Sequence, residues 1–230
     1  MKAAVCLSGQ LRNFKGCYQS LYDHIIQPTK ADLFVHAWHF SPEETDGFYV
    51  NIGNDVTKRF AENGTEEEFL SLYRPKKYKF EECSEFLKNK RFAIDRKAPE
   101  TNVERMMCML YNISECFSML DSSRYDIVFR CRTEITYDRK VNREDLSLSL
   151  KGNLIIPHGT DGRGGYQDSF AFGPPSIMSI YTSLYHYIQK YSDEGEMIHP
   201  EHMLKYHLEK NKAPVERIDF PMSLRGKRYA

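Results

Sequence analysis

Apolar residues fall along this chain in short runs and in helical spacings that follow one another in order. Residues 3–8 form a short apolar run that predicts a first strand, and 32–38 is a nearly continuous run, typical of a strand buried on both faces. Between them, apolar residues recur at the spacing of one helix face: Phe14, Cys17, Tyr18, Leu21 and Ile25. Strand, glycine turn, helix and strand in this order predict a βαβ unit.

The same patterns predict the elements of the remaining chain. Residues 41–64 are polar, contain several glycines and are expected to be mostly loop. Capping boxes at Thr65 and Thr101, each with a glutamate three residues later, predict two helices that run to about Tyr73 and Leu120. Further strands are predicted at 77–80, 125–132, 154–156, 169–172 and 215–220, and further helices after Pro174-Pro175 and at 201–209.

These elements predict a single α/β domain over residues 1–230, with a mostly parallel, Rossmann-like central sheet flanked by helices. A chain of 230 residues lies within the usual size of one domain, and no repeat or low-complexity linker divides it. In such sheets a ligand lies beyond the carboxyl ends of the strands. We therefore expect the site residues directly after each strand.

Composition narrows the classes of partner. Lysine and arginine total 32 and aspartate and glutamate total 32, so the chain lacks the basic excess of a nucleic-acid binder. No apolar run approaches the roughly 20 residues of a membrane span, and the N-terminal apolar stretch is too short for a signal peptide. The six cysteines form no Cys-x-x-Cys pair and are expected to be buried and unpaired in a reducing compartment. We therefore expect a cytoplasmic protein with no nucleic-acid partner and no membrane span.

The turn after the first strand has features of a phosphate-binding loop. Ser8 and Gly9 are small enough to let a phosphate approach the backbone, and the helix that follows offers unpaired N–H groups. Arg12 is able to add a bidentate contact to a diphosphate. The segment is neither a Gly-x-Gly-x-x-Gly motif nor a Walker A loop. A tight turn with a surface arginine explains it equally well.

Charged residues crowd the end of the fourth predicted strand. Alternation places Arg130, Arg132 and Glu134 on one face of it. The apolar Phe129 and Cys131 face the other way. Such charges are costly to bury unless they pair or meet a charged ligand. They predict either an anion site with a metal or a sugar at Glu134, or a salt bridge between Arg132 and Glu134 that caps the sheet.

A glycine-rich loop precedes the next candidate. Residues 159–165 contain four glycines, among them Gly165, and predict a mobile lid. Asp168 follows, directly before an apolar strand, where a carboxylate is well positioned for general-base work. The alternative role of Asp168 is to cap the following turn.

Two pairs of histidines raise the question of a metal. His36 and His39 lie three positions apart on a strand, point to opposite faces and cannot readily share a metal. His199 and His202 open the last helix with Glu201 between them, and they are able to act as metal ligands from one face. The more common explanation of such a cluster is a helix start with solvated side chains.

In their order along the chain, four of these segments resemble those of small GT-A-type glycosyltransferases, enzymes of surface-polysaccharide clusters and of large DNA viruses that glycosylate their own capsids. The resemblance spans roughly residues 1–210. It rests on the motifs SGQLR at 8–12, DLFVHAW at 32–38, YDxVxRxRxE at 125–134 and QDSFAFG at 167–173. A GT-A-like domain is the fold that this resemblance implies.

The resemblance also implies a reaction and a set of binding residues. The reaction is transfer of a sugar from a nucleotide-diphosphate donor, with a UDP-sugar favoured, to a hydroxyl of a glycan acceptor. A nucleotide-binding half is implied at 1–135 and an acceptor-side half at 136–230. The residues expected to bind the nucleotide sugar are Ser8, Gly9, Gln10, Arg12, His36, Arg130, Arg132 and Gly165.

In GT-A enzymes an Asp-x-Asp motif holds a divalent metal on the diphosphate. Here Arg132-Thr133-Glu134 stands in that place, and only the last acid is kept. Glu134 and His202 are therefore the implied ligands of Mn²⁺ or Mg²⁺, and Arg132 is expected to supply part of the charge neutralisation. The resemblance makes Asp168 the base that deprotonates the acceptor hydroxyl, which favours inversion at the anomeric carbon.

Two other functions fit the same residues. A sulfo- or nucleotidyl-transferase on an α/β scaffold would use the same arginines and the same phosphate loop. A non-catalytic carbohydrate- or nucleotide-binding module is favoured instead if Glu134 and Asp168 form a buried structural pair.

Overall fold

The first strand forms where its apolar run predicts it and lies inside the sheet. In the computed structural model, β1 (Ala3–Gln10) pairs in parallel with β2 (Asp32–Trp38) on one side and with β6 (Ile127–Arg132) on the other. The structure describes residues 1–11, 13–39, 48–52, 55–59, 64–90, 92–94, 96–159 and 161–224, with the backbone alone at 48–52 and 55–59.

Helices and strands alternate along the described chain. The helices are α1 (Phe14–Leu21), which continues through a π-helical turn (Tyr22–Ile26) into α2 (Gln27–Thr29), then α3 (Glu66–Tyr73), α4 (Cys83–Lys88), α5 (Val103–Ser118), α6 (Arg143–Leu150), α7 (Pro175–Ser183), α8 (Ile188–Asp193) and α9 (Pro200–Lys210). The other strands are β3 (Phe48–Ile52), β4 (Asp55–Arg59), β5 (Lys77–Glu81), β7 (Ile135–Tyr137), β8 (Leu154–Pro157), β9 (Ala171–Gly173), β10 (Val215–Ile218) and β11 (Met222–Leu224). Among the residues described, no helix combines the length and the apolar character needed to cross a bilayer.

Seven strands form the central sheet, in the order β10-β8-β9-β6-β1-β2-β5. β9 runs antiparallel to both of its neighbours, and the other neighbouring pairs are parallel. Both halves of the chain contribute, since β8, β9 and β10 follow residue 135. The predicted α/β fold with a mostly parallel, helix-flanked sheet is confirmed at this level.

Helices cover both faces of the sheet, and each face has its own apolar core. One core packs the central strands against α1, α3 and α6, and the other packs them against α5, α7, α8 and α9. Alternation along β1 decides the side, because Val5 and Leu7 belong to the first core and Ala4 and Cys6 to the second. Ser8 continues the second series, so it faces the layer that contains α5.

The segment 48–59 differs from the predicted loop. β3 and β4 form an antiparallel pair there, with Phe48 opposite Arg59 and Ile52 opposite Asp55. Phe48, Val50 and Ile52 alternate as in a strand, but the polar and glycine residues around them favoured a loop. The rest of the predicted loop, except residue 64, lies outside the described residues.

Side-chain caps mark the starts of α3, α5 and α6 among the described helices. The box predicted at Thr65 is confirmed, with Thr65 accepting from the backbone N–H of Glu68. The box predicted at Thr101 is wrong by one residue: Asn102 caps α5, and its Oδ1 accepts from the N–H of Arg105 at 2.9 Å. Asparagine is as good a cap as threonine, so the neighbouring residue takes the role.

Candidate functional site

The order of the strands creates a topological switch point beside β1. Along the chain, β1, β2 and β5 follow one another outward in one direction, and β6 then returns to the opposite side of β1. The strand order therefore reverses beside β1, and ligands bind α/β sheets at such switch points. In register, Ser8 of β1 lies level with His36 of β2 and with Arg132 of β6. Predicted binding residues of three strands thus meet at one edge of the sheet.

The turn predicted at Ser8 and Gly9 is wrong, because β1 continues to Gln10 and both residues pair with β2. Gly9 has a φ of +141°, which favours glycine. A Cβ on Gly9 would lie 3.2 Å from the Oγ1 of Thr133, which donates a 2.5 Å hydrogen bond to the carbonyl of Gln10. From α5, the side-chain amide of Asn112 donates to the carbonyl of Gly9 at 3.5 Å. Glycine is therefore needed where the segments after β1 and β6 come together.

Arg130 is a buried cation in the middle of the sheet. It is the largest of the fully buried side chains in the described residues, with 1% of its surface exposed. Its Nε and Nη1 have no hydrogen-bond partner within this part of the chain. Burial raises the pKa of the Tyr181 hydroxyl on α7, and the nearby Arg130 guanidinium opposes that rise. A buried charge of this kind is costly unless an anion meets it, so Arg130 can hold an anionic ligand.

Arg132 forms the salt bridge that the sequence left open. Its Nη2 donates a 2.5 Å hydrogen bond to the Oε1 of Glu134, whose side chain is 4% exposed. Burial opposes the charge of Arg132, but neighbouring carboxylates outweigh burial and raise its pKa. In decreasing order of effect these are Glu134, Asp168 and Glu201. The guanidinium of Arg132 therefore interacts electrostatically with three carboxyl groups.

Asp168 lies in a tight turn that Gln167 closes. The Nε2 of Gln167 donates to the carbonyl of Phe170 at 2.8 Å, and its Oε1 accepts from the N–H of Ser169 at 3.0 Å. The Tyr181 hydroxyl donates to the Asp168 carbonyl at 3.1 Å. Gln167 thus performs the capping role considered for Asp168. Asp168 itself lines a small pocket with residues of α5, α7 and α9.

Glu201 is a candidate that the sequence placed only as a neighbour of two histidines. Pro200 fixes the first position of α9, so Glu201 stands in the first turn of that helix. Its Oε2 lies 3.1 Å from the Nδ1 of His199 and has no hydrogen bond within the described residues. Burial, and after it the charge of Asp168, raises the pKa of Glu201 to about 7. A carboxyl group that titrates near neutral pH is suited to accept and return a proton.

The glycine-rich loop packs directly on Glu201. A Cβ on Gly165 would lie 2.1 Å from the backbone carbonyl atoms of Glu201, and one on Gly162 would lie 3.2 Å from its Oε2. The N–H of Tyr166 donates to the Glu201 carbonyl at 3.0 Å. Gly165 therefore has a packing role, in addition to the predicted role in donor binding. In the sequence, these glycines were the one sign of a close contact with another element, because a loop without Cβ atoms permits close packing. The structure identifies that element as the start of α9, at Glu201.

Ion pairs hold the same loop in place. Arg163 donates two hydrogen bonds, of 2.7 and 2.8 Å, to the carboxylate of Glu100. Arg217 of β10 donates to both carboxylate oxygens of Asp161 at 3.0 Å. The segment predicted to be a mobile lid is tied on both sides in this structure. Opening it would break both pairs.

The expected metal site does not fit the residues at this position. Across the described ranges, no three His, Cys, Asp or Glu side chains converge to hold an ion. Arg132 engages the carboxylate of Glu134, and His202 lies 3.9 Å from Glu196. Each of the two implied ligands thus lies next to another charged side chain, and the cations of β6 are Arg130 and Arg132.

His36 and Arg12 were also predicted to bind the nucleotide sugar. His36 is fully buried, with its Nε2 2.6 Å from the Oε2 of Glu81 and its ring edge-on to Trp38 and Tyr111. Burial lowers the pKa of His36 against the pull of Glu81, which favours the neutral ring. Arg12 lies outside the described residues.

In comparisons with known proteins, the chain matched no protein-family model and no curated protein. The geometry of the residues at the carboxyl ends of β1 and β6 is therefore the basis for assigning a function.

Proposed function

We propose that this chain is a glycosyltransferase that moves a sugar from a nucleoside-diphosphate donor to a glycan hydroxyl. One observation carries the proposal: at the switch point between β1 and β6, β6 contains a fully buried arginine, Arg130, with two nitrogens that have no partner in the described residues, and β6 ends level with Ser8 of β1. A diphosphate supplies the negative charge that such a residue requires.

The two arginines of β6 would bind the diphosphate of the donor. Arg130 and Arg132 lie two positions apart on one strand, so they share a face. A guanidinium presents several N–H groups in a planar fork that matches phosphate oxygens. When the bond between the sugar and the diphosphate breaks, its electron pair stays on the diphosphate oxygen. The arginines stabilise that charge, and no step of this reaction requires a metal ligand from the chain.

Asp168 would be the base for the acceptor. It takes the proton of the acceptor hydroxyl as the acceptor oxygen bonds to the anomeric carbon, opposite the departing diphosphate. The configuration of the sugar is thereby inverted. Glu201, which interacts electrostatically with Asp168, is a second carboxyl group that can hold a proton, because its pKa is about 7.

An enzyme is favoured over a silent binding module because Asp168 belongs to a larger charged cluster and not to a pair with Glu134 alone. Arg132 interacts with Glu134, Asp168 and Glu201, and it is the last residue of β6, beside the switch point. A sulfo- or nucleotidyl-transferase would use the same arginines, so its donors belong in the same test.

Release of nucleoside diphosphate from a panel of UDP-, GDP-, CDP- and ADP-sugars, with water or short glycans as acceptor, tests the proposal. We expect release from one donor class, and Asp168→Asn should lower the rate by about 10²- to 10⁴-fold while donor binding persists. Asp126→Asn is the matched control, since Asp126 is exposed and accepts from the N–H of Lys2 at the other end of β1. No release from any donor, or full activity in Asp168→Asn, would contradict the proposal. Turnover of only a sulfo-donor, 3′-phosphoadenosine 5′-phosphosulfate, added to the same panel would favour the sulfotransferase.

A further inference from the structure

Two thiols lie against each other between α4 and α5. The Sγ atoms of Cys83 and Cys108 are 3.0 Å apart. A disulfide bond is about 2.05 Å long, so the two sulfurs need to approach by only about 1 Å more. The residues belong to different helices and are 25 positions apart in the chain.

Cys83 also differs from the other cysteines in exposure. All six cysteines lie within the described residues, and Cys83 is half-buried while the other five are buried. An oxidant in solution therefore meets Cys83 first. Cys6 shows the contrast, since burial raises the pKa of its thiol well above the ordinary value and disfavours the reactive thiolate.

The thiol pair lies between two helices that contact the end of β2. Phe86 of α4 stacks on Tyr111 of α5 with ring centroids 4.4 Å apart, and lies 5.4 Å from Trp38 at the end of β2. We propose that Cys83 and Cys108 are a reversible disulfide site that locks α4 onto α5. The sequence alone predicted unpaired cysteines, because no spacing rule links positions on two separate helices.

The oxidant for this step is a small disulfide such as oxidised glutathione. The Cys83 thiolate attacks one glutathione sulfur, forms a mixed disulfide and releases one glutathione thiolate. The sulfur of Cys108, as its proton leaves, attacks the Cys83 sulfur and expels the second glutathione thiolate. The protein loses two electrons and two protons, and one oxidised glutathione becomes two reduced glutathione molecules.

Peptide mapping of the native protein tests the site. The protein is incubated with oxidised glutathione, its remaining thiols are alkylated, and it is digested with trypsin without reduction. We expect peptide 80–88 linked to peptide 106–124. Because the second peptide also contains Cys116, Cys108→Ala should abolish the link and Cys116→Ala should keep it. The oxidised protein should melt roughly 5–10 °C higher, and dithiothreitol should reverse the shift.

Three results would overturn the proposal. These are a stable glutathione adduct on Cys83, a link from Cys83 to Cys116, or both thiols remaining open to alkylation after oxidation. Cys83→Ser provides a variant at a half-exposed position in case Cys108→Ala does not fold. An oxidation-dependent rise in melting temperature that survives in Cys83→Ser would equally contradict the proposed site.

Discussion

Burial affects each charged residue at this site differently. Glu201 responds with a pKa raised to about 7, and His36 responds with a lowered pKa, so both become neutral more readily. Arg130 cannot become neutral in this way, because a guanidinium stays charged at any physiological pH. Its two unpartnered nitrogens in a fully buried position therefore indicate a ligand more directly than the histidine does.

The raised pKa of Glu201 has a consequence for stability. The group ionises near pH 4.5 when unfolded and near 7 when folded, so stability falls as the pH rises between these values. Glu201→Gln removes that loss. We expect the variant to be more stable than the parent by about 1–2 kcal/mol at pH 8 and equal to it near pH 4. The gain at pH 8 is limited to this size because partial exposure of the side chain lets solvent screen its charge.

Urea unfolding of both proteins at pH 4, 6 and 8 measures this difference. Glu209→Gln, an exposed glutamate at the other end of α9, controls for the loss of one negative charge. A stability gain from Glu201→Gln that is the same at all three pH values would refute the assigned cause.

At the scale of elements, the contact between the glycine-rich loop and α9 builds the acid cluster. Gly165 brings the loop backbone against the backbone of Glu201, and Pro200 fixes where the helix begins. The loop therefore determines where the Glu201 carboxyl group stands relative to Asp168.

Gly165→Ala should disrupt this contact. The added Cβ would lie 2.1 Å from backbone atoms of Glu201, which cannot rotate away, so we expect a loss of about 1–3 kcal/mol in the free energy of unfolding. Gly159→Ala in the same loop is the matched control, since its Cβ would meet nothing within 4 Å, and its effect should stay within about 0.5 kcal/mol. Equal effects of the two substitutions would show that the loop does not pack as described.

Local signals explain which elements were predictable. α3 and α5 combine an apolar stripe with a side-chain cap, and both were predicted. α6 was missed because it buries Asp145 and Ser149, so an apolar stripe is largely lacking. The salt bridge of Arg132 with Glu134 was within reach of alternation alone, since the partners are two positions apart.

At the scale of the whole molecule, the switch point between β1 and β6 depends on the strand order, which no local pattern encodes. The sequence predicted strands 3–8 and 125–132 and the fold class, yet not that β6 lies next to β1 or that β9 is reversed. The pairing of Glu201 with Asp168 likewise comes from the packing of α9 on the loop. Such contacts join distant parts of the chain, so composition and spacing could not predict them.

Binding of nucleoside diphosphates in the presence of a metal chelator tests the central claim most directly. We expect one of UDP, GDP, CDP or ADP, at about 100 times its dissociation constant, to stabilise the protein by roughly 2.7 kcal/mol, a rise of about 5–10 °C in melting temperature. The double variant Arg132→Gln/Glu134→Gln removes both partners of the salt bridge, so Glu134 is not left as an unpaired buried charge, and should weaken binding at least about tenfold. Arg105→Gln on the exposed side of α5 is the control and should bind like the parent. The absence of a shift with every diphosphate, or undiminished binding by the double variant, would contradict a diphosphate site at the junction of β1 and β6.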